Sequence, residues 1–217
     1  MDKQRACLVT GLAGALLGTA GELLGGFSPA GDFTSPVTIL FSSLKSLPMW
    51  RIGLCSTLGG LGILLQFFGY YAICLSFEDR ENFRGRLCTA ANWGFTIVGA
   101  ICHILCCVFI FLYCLTLSIP GRMDVLENFL IWFFLPFAAV FLISYITFCV
   151  LFSLQICGGH SSFPRWCGYL NPLGFMIFFP ILAGVLPSSA AVNGLYFANM
   201  GLTSILIFTV LLIADNR

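Results

Sequence analysis

Two ionisable residues stand inside long apolar stretches: Glu22 in GALLGTAGELLGG (14–26) and His103 in CHILCC (102–107). A carboxyl group stranded in an apolar helix costs several kcal/mol on insertion scales, so such a residue points to a ligand, an ion or a proton. Its structural reading is a protonated or hydrogen-bonded carboxyl that locks its helix to a neighbour. His103 has the same two readings, because a lone histidine on a packed face is often a satisfied core residue. Together the pair could do general acid–base work on a lipid, which needs only two titratable groups within hydrogen-bond range of the substrate. Gln66, Asn199 and Thr203 are the polar residues whose positions allow them to join such a pocket. Cys107 lies one helical turn after His103, a spacing compatible with metal ligation. A closed zinc site takes four ligands, however, and no second His/Cys cluster appears, so neither a metal nor a cofactor is expected. Serine-hydrolase elbows, HExxH and phosphate-cradling glycine loops are missing, and Asp2, Asp32, Asp79, Asp124 and Asp215 all fall in loops or termini. His160 falls in a loop and reads as solvated, and the run FPRWCGYLNP (163–172) reads as an interfacial anchor.

The elements that must carry these residues follow from composition. Of 217 residues, 59% are hydrophobic and 9% charged, against about 25% charged in soluble domains. The net charge of +1 comes without a basic block or acidic tail, so no nucleic acid partner is expected. A bilayer core about 30 Å thick is crossed by roughly 20 apolar residues in helix. Six such runs occur, at about 6–27, 52–77, 87–118, 127–156, 167–187 and 194–214. The expected fold is all-α: one domain of six transmembrane helices spanning 1–217, with Pro136 a kink site in the fourth run. The N-terminus also has the basic start and apolar core of a secretory signal peptide. Its apolar stretch runs past Glu22 to Phe27, however, and the segment is read as the first span.

Lys3, Arg5, Arg80, Arg84, Arg86, Arg165 and Arg217 fall on one side of these spans, and Lys45, Arg51 and Arg122 on the other. The excess of basic residues places both termini in the cytoplasm of a multi-pass protein of the cell membrane. All eleven cysteines read as free thiols: most sit in or beside apolar runs, and Cys157 and Cys167 bracket a loop on the reducing side. Residues 28–49 form the one connection with room for structure of its own. Its PVTILFSSLKSLP run reads as a short interfacial helix, either a lid over a cavity or a loop tucked onto the bundle.

Face geometry then decides what each helix presents. Gly14, Gly18, Gly21 and Gly25 recur at steps of four, three and four, a narrow stripe of helix-packing residues with Glu22 on its flank. Asn92, Thr96, Gly99, His103 and Cys106 share one face of the third span, and Gly59, Gly62, Gln66 and Gly69 one face of the second. Glu22, His103 and Asn199 lie at depths that allow them to converge below the outer surface.

GELL at 21–24, His103, FPRW at 163–166, the Asn171–Pro172 pair and a last span with Gly194 and Asn199 together resemble a family of uncharacterised bacterial six-span integral membrane proteins. The resemblance implies a shared fold and no known activity. The function expected from the residues is binding or transport of a small molecule or lipid through a polar intramembrane pocket, with membrane lipids as surroundings. A lipid-modifying enzyme using Glu22 and His103, and an assembly scaffold without a ligand, are the alternatives.

Overall fold

The computed structural model describes residues 2–27, 47–116, 118–187 and 189–215. Among these the chain is all-helical apart from turns and a single antiparallel bridge, Phe77 to Ser161. The helices are α1 (Lys3–Gly26), α2 (Met49–Leu75), α3 (Phe83–Leu115), α4 (Arg122–Phe129), α5 (Leu135–Cys157), α6 (Pro172–Val185), α7 (Ala190–Phe197) and α8 (Asn199–Ala214). One turn of π-helix, Leu130–Phe134, joins α4 to α5, and a 3-10 turn, Arg165–Tyr169, precedes α6. Most of the lid or loop expected at 28–49 falls at 28–46, outside the described residues.

Four helical stretches are long and apolar enough to cross a membrane: α1, α2, α3 and the continuous run Arg122–Cys157. The bent pair α7 and α8 makes a fifth if taken as one span. The fifth apolar run departs from the single long helix expected over 167–187, because α6 has only 14 residues. Its start is fixed by Asn171, which accepts from the Leu173 N–H at 2.9 Å and donates to the Cys149 carbonyl at 2.9 Å and to Ser153 Oγ at 2.8 Å. Pro172 then occupies the first helical position, where its missing N–H costs nothing. The sixth run departs too: it is two helices that meet at Ala198 with a 65° bend.

Pro136 sits in the first turn of α5, directly after the π turn. A proline cannot donate to the carbonyl four residues back and its ring crowds that carbonyl, and one widened turn relieves both.

Glycines set the central contact. α1 and α2 run antiparallel with their backbones touching. A methyl group on Gly14 would lie 2.5 Å from Leu65 Cβ and 2.8 Å from the Gly62 carbonyl oxygen, and one on Gly21 would lie 2.8 Å from the Gly59 nitrogen. Gly11 and Gly69 meet in the same way, as do Gly18 and Gly62. α2 then packs on α3, α3 on α5, and α1 on α7 and α8. The row closes around Tyr70, whose ring meets Phe95, Phe148 and Phe208 edge-on at centroid distances of 5.0, 5.3 and 4.8 Å. The outward faces stay apolar, as on α5, where Leu142, Ile143, Ile146, Val150 and Leu154 are exposed.

Candidate functional site

Beside this aromatic centre lies a cavity of about 220 Å³ between α1, α2, α3, α5 and α8. Glu22, Gln66, Tyr70, Thr96 and His103 supply its polar wall, and Phe95, Phe134, Phe141 and Met200 much of the apolar remainder.

Glu22 reaches this wall because one glycine on α1 and another on α8 let the helices beside it come close. Gly21 lets α1 settle on α2, and Gly201 lets the first turn of α8 settle on α1, where a methyl group would lie 3.0 Å from Glu22 Oε2. Ala198, the cap residue of α8, offers no side-chain cap. The first turn of α8 instead brings its backbone close to the Glu22 carboxyl, at the helix end where a partial positive charge favours an anion. Glu22 is buried, and its Oε2 has no hydrogen-bond partner among the described residues. Thr19 Oγ1, one turn earlier on α1, is in the same condition.

Gln66 is held by a relay. Its Oε1 accepts from Ser204 Oγ at 2.7 Å, and Ser204 Oγ lies 2.7 Å from Tyr70 Oη. The one hydroxyl proton of Ser204 serves Gln66 Oε1 and, at 3.0 Å, the Met200 carbonyl, both of which can only accept, so Tyr70 is the donor to Ser204. His103 lies against α2 where Gly59 has no side chain; any Cβ there would enter the imidazole ring. Its Nε2 is 3.0 Å from the Cys55 carbonyl oxygen.

Of the residues the sequence singled out, Glu22, Gln66 and His103 share the cavity. Asn199 and Thr203 are not among its lining residues. Asn199 donates to the Tyr196 carbonyl at 2.9 Å across the helix break, and the Thr203 hydroxyl donates to the Asn199 carbonyl at 2.7 Å. Sequence reasoning missed Tyr70, Ser204 and Met200, and it missed that Cys55 comes to the edge of this region beside His103 and Cys107. None of these carries a short motif. The one signal available was that Ser204 and Met200 are spaced by four, which places them on one helical face.

Fold and cavity together define a class: an all-α bundle of long apolar helices around a small internal chamber with one carboxyl group in its wall. The chain belongs to a family of unknown function (DUF6796), whose model matches residues 1–216. No curated protein and no solved structure matches it.

Proposed function

We propose that this chain is a six-span membrane protein with cytoplasmic termini that binds or moves a small amphiphile or lipid through the cavity walled by Glu22, Gln66 and His103. In this reading the fifth crossing combines the 3-10 turn with α6, about 30 Å at their respective rises. The sixth combines α7 and α8. Apolar outward faces on the long helices support the membrane setting.

One observation carries the ligand: Glu22 Oε2 is buried, without a hydrogen-bond partner among the described residues, and at the wall of a mostly apolar chamber. A buried acceptor without a donor loses its hydration without return, and a bound hydroxyl or ammonium group would restore a partner. The remaining wall suits the apolar body of the same molecule. The broken helix whose first turn meets Glu22 suits a polar headgroup at this depth, as irregular helix ends do where they line cavities.

The test is to purify wild type, Glu22→Gln and His103→Ala in mild detergent and identify co-purifying small molecules by mass spectrometry. Wild type should retain a selected ligand class, and Glu22→Gln should lose at least tenfold of it while remaining folded. Identical lipid content in all three proteins would sink the proposal.

A further inference from the structure

We propose that Cys55, His103 and Cys107 form a binding site for a divalent metal ion of the zinc type. Cys55 comes from the second turn of α2, and His103 and Cys107 are one turn apart on α3. The three ligand atoms all lie within 4.8 Å of one another. Cys55 Sγ and Cys107 Sγ are 3.8 Å apart, and each is 3.9 Å from His103 Nε2. Zinc bonds of about 2.3 Å to sulfur and about 2.0 Å to nitrogen place two sulfurs about 3.8 Å apart and sulfur and nitrogen about 3.5 Å apart around a tetrahedral ion. The side chains therefore already stand within a few tenths of an ångström of a coordination triangle.

One comparison within the molecule sharpens the assignment. Cys74 and Cys88 also meet, at 3.7 Å, but no His, Asp or Glu joins them within ligand distance among the described residues. Close thiols alone thus occur without a site, and what distinguishes the first pair is the imidazole. That imidazole is admitted by Gly59, whose missing side chain is the space the ring occupies.

Charge decides the oxidation class. Two thiolates and a neutral imidazole balance a divalent cation, so the ion adds no net charge to a buried place, whereas a monovalent ion would leave one negative charge uncompensated. Binding releases two thiol protons. With Nε2–H now donating to the Cys55 carbonyl, ligation through Nε2 also moves the ring proton to Nδ1, and the imidazole stays neutral. Three protein ligands leave one coordination position for water or a substrate atom. His103 also borders the cavity. The site holds whether or not the cavity binds a lipid.

Detergent-purified full-length protein, stripped with a chelator and kept reduced, should be titrated with Co(II) as the probe. The expected result is a thiolate-to-cobalt charge-transfer band with intense tetrahedral d–d bands, saturating at one ion per chain and bleached by Zn(II). Two protons should be released per ion in weak buffer. Cys107→Ser and His103→Gln should weaken binding at least about 100-fold, the upper end of what loss of a mere outer hydrogen-bond partner costs. Cys74→Ser and Glu22→Gln should keep the charge-transfer band, which separates this site from the cavity ligand. Absence of the band in folded wild type overturns the proposal without recourse to any variant. So does unchanged binding in Cys107→Ser, recovery of a Cys55–Cys107 disulfide from protein purified without reductant, or binding of Cu(I) alone.

Discussion

The hydroxyl of Ser204 is a small group with two dependants. It accepts from Tyr70 and donates to Gln66, so its removal strands a phenol and an amide oxygen in a buried place. Ser204→Ala should lower unfolding free energy by about 2 kcal/mol, within the range for orphaned buried partners. Thermal denaturation in detergent checks this, and the cavity's ligand preference should change with it because Gln66 loses its orientation. Thr203, its neighbour, should tolerate valine far better, since its hydroxyl serves only the carbonyl one turn back. The contrast explains why the site was half legible. A Ser or Thr in an apolar run bonds to its own helix by default, so residue type alone cannot separate Ser204, which reaches α2, from Thr203, which does not. Glu22 and His103 were legible because an ionisable group in such a run has no comparable local solution. Cys55 was not: its meaning depends on α2 and α3 bringing residues 48 and 52 positions apart in sequence to one point.

Helices declared themselves through run length and spacing, and their ends did so only where local chemistry was strong. The stripe of Gly14, Gly18, Gly21 and Gly25 could be read from steps of three and four, and those residues lie against α2. α6 and the α7–α8 break were hidden because a hydropathy window averages over what stops a helix. The stop before α6 is the Asn171–Pro172 pair, whose one side-chain amide donates two hydrogen bonds and accepts a third. α7 is held by Asn193, whose amide donates to the Gly26 carbonyl at 2.6 Å and so ties it to the end of α1. The element most exposed to a single change is the α1–α2 contact. Gly62→Leu would drive a side chain into the Gly18 backbone, and neither backbone can yield without parting the helices. A loss of about 3 kcal/mol or more is expected, at the upper end of overpacking costs. It should be seen as a fall in the melting temperature and in the yield of monodisperse protein, whereas Gly53→Leu, with nothing within 4 Å, should be silent.

For the whole molecule, composition alone was enough to anticipate helices and apolar outer faces, whereas the number of crossings depends on how short and bent pieces are counted. Orientation rests on seven basic residues against three. A glycosylation acceptor inserted at 120–122 should be modified in microsomes, and the same insertion at 79–82 should not; the reverse pattern would invert the molecule. At the 79–82 end, two connections are stitched together. Ser162 N donates to the Ser76 carbonyl at 2.9 Å, Glu78 N to the His160 carbonyl at 3.1 Å, and the hydroxyls of Ser76 and Ser161 meet at 2.7 Å. Mechanically this bridge is a fulcrum. It pins the α2–α3 pair to α5 at one end, while the chamber and the cysteine–histidine triangle lie well up the lever arm. α2 is about 40 Å long at the helical rise, so a tilt of about 5° about the bridge would displace its far end by about 3.5 Å. Under the proposed transport reading, such a lever would open one face of the molecule while the other stays shut.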